Sequence, residues 1–266
     1  MPENLAGVQG PSVPVSVRCA IGIMTKAPAA GSVKTRLVPP LSYDEAALLH
    51  ISFLKDTAEN VAQASGLCAC DGAAVYTPAG TGPTLEALLP HGFRLVCQRG
   101  ETLGDRLLSA TADLLAAGYG SVCLIDSDSP TLPLAALTTA VALLARPGER
   151  VVLGPADDGG YYLIGVKAVR RELFTGISWS TDKVFAQTVE RIEAARLAAE
   201  VLPHWYDVDD GPSLQRLCEE LFAGSAGERS APRGYHAPHT RRNLARLLNS
   251  ARERVWPKPL IGRRLW

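Results

Sequence analysis

The stretch Val122-Cys123-Leu124-Ile125-Asp126-Ser127-Asp128-Ser129-Pro130 runs an unbroken apolar segment into two carboxylates spaced one residue apart. A short apolar run bounded by polar residues reads as a strand buried on both faces, the habit of a parallel sheet. The carboxylates stand where that strand ends. Such a pair can hold a hard divalent cation, which binds through one or two carboxylates plus the oxygens of a diphosphate. Two acids in a loop are also commonly just solvated, so the surrounding sequence has to decide.

Outward from this segment, apolar runs alternate with helical patterns. Residues 19–24, 73–76, 93–97, 121–125, 151–153 and 162–166 read as strands, and 201–206 as extended chain. Ser42-Tyr43-Asp44-Glu45 has the capping-box form and opens a helix to about residue 64. Further helices are predicted over 104–117, 134–145, 181–196 with a cap at Ser180, and 212–222. This alternation predicts an α/β fold, a mostly parallel sheet covered by helices on both faces. In such open sheets ligands sit outside the carboxyl ends of the strands, where Asp126 and Asp128 fall.

The 266 residues suffice for one large domain or two small ones, and 47% hydrophobic content supports a sizeable core. Net charge is zero but uneven: residues 229–266 hold ten Lys/Arg against the single acid Glu253. The chain is divided into a leader (1–17), a catalytic domain (18–222) and a basic extension (223–266) that begins in a Gly/Ser/Ala linker. That extension either meets an anionic partner or, the preferred reading, hugs the acidic body. Cys19, Cys97 and Cys123 sit in apolar runs as core residues, and Cys68-Ala69-Cys70 has no second ligand pair for zinc. His236-x-x-His239 likewise lacks adjacent ligands and reads as surface. No disulfide framework, membrane span or signal peptide is expected, which fits the cytoplasm.

Three loops carry further chemistry. Thr25-Lys26-Ala27-Pro28-Ala29-Ala30-Gly31-Ser32-Val33-Lys34-Thr35-Arg36-Leu37 follows the first strand and gathers two lysines and an arginine around small residues. Amides and cations so placed can hold phosphate oxygens, although the P-loop spacing is absent. Gln98 and the segment Leu103-Gly104-Asp105-Arg106 follow the third strand, where Gly104 opens a helix and Gln98 could read a base edge. Asp157-Asp158-Gly159-Gly160-Tyr161 is either a hairpin turn or an acceptor site in which Asp157 or Asp158 orients a hydroxyl. Trp179 either lines a sugar pocket or belongs to the core. Asp209 either completes a metal site with Asp126 and Asp128 or, with Asp210, caps the helix after Pro212. No nucleophile elbow or GxGxxG accompanies these, which argues against an esterase or a dinucleotide oxidoreductase.

In combination, Lys34-Thr35-Arg36-Leu37, Leu103-Gly104-Asp105-Arg106, Asp126-Ser127-Asp128 and Asp157-Asp158-Gly159-Gly160-Tyr161-Tyr162 resemble the bacterial DUF2064 family, also described as radical-SAM/selenodomain-associated transferase 1, over residues 18–222. The resemblance implies a GT-A-like, Rossmann-like fold of the nucleotide-diphospho-sugar transferase superfamily. It also implies Mg²⁺ or Mn²⁺ held by Asp126 and Asp128 on a donor diphosphate, with Asp209 as the further candidate ligand read above from the residues. Thr25, Lys26, Gly31, Lys34, Arg36, Gln98, Gly104 and Arg106 would bind the nucleotide, and Gly159, Gly160, Tyr161 and Trp179 the sugar or acceptor. The serines flanking the acids and Pro130 depart from the larger residues usual in related enzymes. The expected activity is glycosyl transfer from a nucleotide sugar to a small-molecule acceptor, without nucleic acid. Lys-Thr-Arg-Leu also resembles the loop of phospholactate guanylyltransferases and molybdopterin nucleotidyltransferases, so nucleotidyl transfer from an NTP is the alternative. A non-catalytic nucleotide-sugar-binding module is a third reading. None of the motifs carries a signal for oligomeric state.

Overall fold

The computed structural model describes residues 18–223 and 233–255, with backbone alone for 223 and 251–255. The expected leader, most of the linker and the end of the basic extension lie outside the described residues. Strands β1 (Cys19–Lys26), β2 (Cys70–Thr77), β3 (Arg94–Cys97), β4 (Ser121–Asp126), β5 (Arg150–Pro155), β6 (Tyr161–Val166) and β7 (Ala198–Val201) form one sheet in the order β3-β2-β1-β4-β6-β5-β7. All pairs are parallel except those of β6, which runs against both β4 and β5.

Helices α1 (Tyr43–Leu67), α2 (Gly82–Glu86), α3 (Leu103–Ala116), α4 (Leu134–Ala145), α5 (Val184–Ala194), α6 (Gly211–Cys218) and α7 (Pro238–Val255) surround the sheet. Strand residues alternate between two cores, as the period-two pleat requires. Ile21, Ile23, Cys123 and Ile125 join Leu54, Ala58 and Val61 of α1 and Leu137 and Ala140 of α4 on one face. Ala20, Val122 and Leu124 join Leu107, Ala110 and Leu114 of α3 and Ile192 of α5 on the other. The helix-covered α/β sheet expected from the sequence is the fold observed.

The capping box forms as predicted: Glu45 N–H donates to Ser42 Oγ (3.2 Å), and Ser42 N–H to Glu45 Oε2 (2.7 Å). Helix α5 starts three residues later than predicted, because Ser180 takes a left-handed φ of 63° and the Thr181 hydroxyl bonds the Ser178 carbonyl (2.7 Å). Strand β7 likewise precedes the predicted 201–206 segment. It is a mostly exposed edge strand with no apolar alternation to announce it.

Residues 233–255 return to the body. Leu244, Leu247 and Leu248 of α7 pack with Leu49 and Phe53 of α1 and Leu214 and Leu217 of α6 in a third core. Each such leucine contributes about 1.5–3 kcal/mol through burial. The Asp56 carboxylate, in the middle of α1, receives the backbone N–H groups of His239 (2.9 Å) and Thr240 (2.7 Å). A buried acid from one helix thereby caps the free N–H groups of another.

Candidate active site

Strands β1 and β4 are neighbours; β4 ends at Asp126 opposite Met24, and β1 runs two residues further to Lys26. From β1 the chain passes outward to β2 and β3 and then returns to β4 on the other side. The strand order therefore reverses between β1 and β4, which is where a doubly wound sheet opens a crevice. A cleft of about 330 Å³ lies there. Of the candidate residues, Thr25, Lys26, Lys34, Arg36, Gln98, Arg106, Asp128 and Asp209 line it. Gly31 is in the same loop, in the left-handed region (φ 76°).

Lys34 is the hinge of the site. It begins a short 3₁₀ turn with φ 48°, a region non-glycine residues rarely occupy. Its side chain is only 4% exposed. The ammonium meets Asp128 Oδ1 (2.8 Å) and Asp209 Oδ1 (3.0 Å), and donates to the Val208 carbonyl (2.7 Å). Three acceptors thus saturate its three protons. Burial alone would lower its pKa, but Asp128 and Asp209 outweigh that and raise it. Arg36, largely exposed, pairs with Asp209 from outside. Lys26 donates to the Ser32 carbonyl (3.1 Å) and Arg106 to the Gly100 carbonyl (3.2 Å). The Gln98 amide donates to the Val75 (2.8 Å) and Thr25 (3.2 Å) carbonyls, which ties it to two strands at the cleft rim.

The acids differ in state. Asp126 is not among the residues that line the cleft, and its Oδ1 accepts the Asp128 N–H (2.7 Å). Burial, then Asp207 and Asp128, push its pKa well up. Burial would raise Asp128 too, but Lys34 pulls it below the usual carboxylate value. Asp207 was passed over at the sequence level in favour of Asp209. Its pKa is pushed up to about 6, first by burial, then by Asp128, Asp158 and Asp209 against the opposing bond from Ser129 (2.6 Å). His50, which lines the cleft with Nε2 on the Lys26 carbonyl (2.9 Å), was also missed. A lone histidine in a helical run gives no signal that it faces a crevice.

The second loop pair assembles beside this cleft. Residues 156–160 form the β5–β6 hairpin turn, where Gly160 N–H donates to Asp158 Oδ1 (2.8 Å). Gly159 has φ 88°, and a Cβ there would lie 2.3 Å from the Asp182 carbonyl, so glycine is required. Asp157 is paired with Arg216 Nη1 (2.5 Å), whose guanidinium sits 3.9 Å over the Tyr206 ring. Tyr161 meets Trp179 edge-on at 6.5 Å. A Cβ on Gly104 would fall 2.5 Å from the Phe174 carbonyl and 2.8 Å from the Trp179 indole nitrogen. The Phe174 carbonyl and the Trp179 indole, packed over the start of α3, are therefore what make Gly104 a glycine.

Hard oxygen donors are what Mg²⁺ and Mn²⁺ take. Asp126, Asp128, Asp207 and Asp209 offer such donors, and Asp126 and Asp207 are each pushed up in part by the neighbouring carboxylates, so the donor chemistry fits. Among the described residues, the set that brings three ligand atoms within 4.8 Å of one another is elsewhere: Asp56, Glu59 and His239. There His239 Nε2 bonds Glu59 Oε1 (2.7 Å), and Asp56 is occupied as the α7 cap. The partners that the His236-x-x-His239 pattern lacked in sequence thus come from α1.

A crevice at the strand reversal, with basic and acidic loops on its rim, defines a Rossmann-like α/β fold of the nucleotide-sugar-transferase type. A family described as "Uncharacterized protein conserved in bacteria (DUF2064)" matches residues 60–181. A Desulfovibrio desulfuricans G20 structure described as a "putative nucleotide-diphospho-sugar transferase" is 31% identical, with TM-score 0.75, covering 90% of this chain and 98% of that one. The chain belongs to this DUF2064 family. More distant structures include a cytidylyltransferase from Leptospira borgpetersenii (11% identity, TM-score 0.48, covering 92% and 99%). Another is a glucosyl-3-phosphoglycerate synthase from Mycobacterium tuberculosis (14%, TM-score 0.45, covering 93% and 83%). No curated protein matches the sequence.

Proposed function

We propose that this protein is a divalent-metal-dependent transferase that moves a glycosyl group from a nucleotide-diphosphate sugar to a small-molecule acceptor. The observation that carries the reading is the Lys34–Asp128 contact of 2.8 Å, which joins the basic loop after β1 to the acidic loop after β4 across one cleft. The donor's phosphates belong against Lys26, Lys34, Arg36 and Arg106. Asp126 and Asp128 would hold Mg²⁺ or Mn²⁺, with Asp207 and Asp209 supplying further negative charge from the opposite loop. Such a cation neutralises charge that grows on the leaving diphosphate.

Asp157 is committed to Arg216, so the acceptor hydroxyl falls to Asp158, which is exposed and close enough to act on Asp207. In this reading Tyr161, Trp179, Gly159 and Gly160 would face the sugar or acceptor beside it. The 31%-identical relative, described as a "putative nucleotide-diphospho-sugar transferase", supports a nucleotide-linked donor. Four cationic side chains on one cleft favour a second reading, because they suit a triphosphate as well as a diphosphate. In that case a phosphorylated substrate would attack the α-phosphorus of an NTP.

Product analysis separates the two. Incubated with Mn²⁺ and a panel of nucleotide sugars and NTPs, the enzyme is expected to release a nucleoside diphosphate. Release of pyrophosphate would replace glycosyl by nucleotidyl transfer.

A further inference from the structure

The cation-binding acids already hold a cation of the chain's own. We propose that Lys34 is a built-in counter-ion that competes with the divalent metal for Asp128, and is handed over to the donor's phosphates when metal and nucleotide bind. The inference rests on the function proposed above and deepens it.

Three observations lead here. First, the ammonium is shared between Asp128 and Asp209 at 2.8 and 3.0 Å and is closed off by the Val208 carbonyl. A divalent ion on Asp128 would therefore meet a positive charge at contact distance, a strongly unfavourable arrangement in a buried setting. Second, Lys34 lines the same cleft as Lys26 and Arg36, assigned above to the donor's phosphates, and as Asp128 and Asp209. Released from Asp128, its ammonium has phosphate oxygens as its next partner. Third, Asp209 is not left bare by that release, because Arg36 contacts its second oxygen. The Lys34 backbone at φ 48° keeps the side chain aimed across the cleft.

Two binding events are thereby linked. Metal alone has to break the ion pair of Lys34 with Asp128. Nucleotide alone has to draw the same ammonium away from two carboxylates. Each ligand removes the obstacle facing the other, and such coupling is reciprocal. The alternative is that Lys34 only fastens the β1 loop to the loop before α6. The two accounts predict opposite signs for metal affinity when the charge is removed.

The test is titration calorimetry of Mn²⁺ alone, and of pyrophosphate alone in EDTA, against the wild type and Lys34→Met. The hand-over predicts that Lys34→Met binds Mn²⁺ about tenfold more tightly, within the usual range of coupling effects, and binds pyrophosphate more weakly. Unchanged or weaker Mn²⁺ binding by a folded Lys34→Met overturns it, while the metal-dependent reading stands if the wild type binds Mn²⁺. If no variant binds Mn²⁺, both fall. Should Lys34→Met fail to fold, Lys34→Met combined with Asp209→Asn removes one charge of each sign. It is expected to bind Mn²⁺ more tightly than Asp209→Asn alone, and equal affinities overturn the hand-over.

Discussion

At the residue scale, the site is a balance of charges at contact distance. Asp207 shows the cost of crowding. Its folded pKa of about 6 lies above the ordinary 3.8. Between those values the folded protein keeps a proton that the unfolded chain has released, so this group makes stability fall as pH rises through the window. Asp207→Asn keeps an acceptor for Ser129 and removes the charge. In metal-free buffer its stability is expected to match the wild type near pH 4 and to exceed it by about 1–3 kcal/mol at pH 7. A pH-independent difference in urea unfolding would show that Asp207 ionises normally. Asp158 tests the acceptor side: Asp158→Asn is expected to cut turnover by about 10²–10⁴-fold while donor binding persists. Equal loss of both would make it a donor or metal residue instead.

At the element scale, helix α1 organises two cores at once, and α7 depends on it. Asp56 is 0% exposed and receives two α7 N–H groups. Asp56→Ala leaves those donors buried and unpaired, for an expected loss of about 2–3 kcal/mol. A lower urea midpoint with an unchanged slope would register it. A change under about 0.5 kcal/mol, the range of ordinary surface substitutions, would show that the α7 cap is dispensable. The same elements show what the sequence made legible. The capping box at Ser42 and the apolar runs of β1 and β4 are local signals, and they place their elements within a few residues. Asp-Asp-Gly-Gly was readable as a hairpin turn, and the turn at 156–160 is what sets β6 antiparallel to β5. Strand β7 carries no such signal, since Ala198–Val201 is a mostly exposed edge strand without apolar alternation.

At the scale of the whole molecule, the site exists only because the fold closes it. Lys34 meets Asp209 across 175 residues and Asp157 meets Arg216 across 59. Composition and spacing name the charged residues but not which of them pair, because pairing follows from strand order. That is why the basic loop and Asp-x-Asp were legible as candidates, whereas Asp207, His50 and the tethering of Lys34 were not. Strand order brings Lys34, Arg36, His50, Asp128 and Asp209 to the β1/β4 reversal, on one cleft of about 330 Å³.

The most direct test of that cleft is a thermal-shift titration of the wild type and Asp128→Asn with nucleotides and nucleotide sugars, with and without Mn²⁺. A ligand of the native state raises the melting temperature by mass action, about 2.7 kcal/mol of added stability at a hundredfold excess over Kd. The wild type is expected to shift with at least one nucleotide only when Mn²⁺ is present, and Asp128→Asn to lose that shift while melting as a folded protein. No shift with any nucleotide, or the same shift in Asp128→Asn, would contradict a metal–nucleotide site at the β1/β4 cleft.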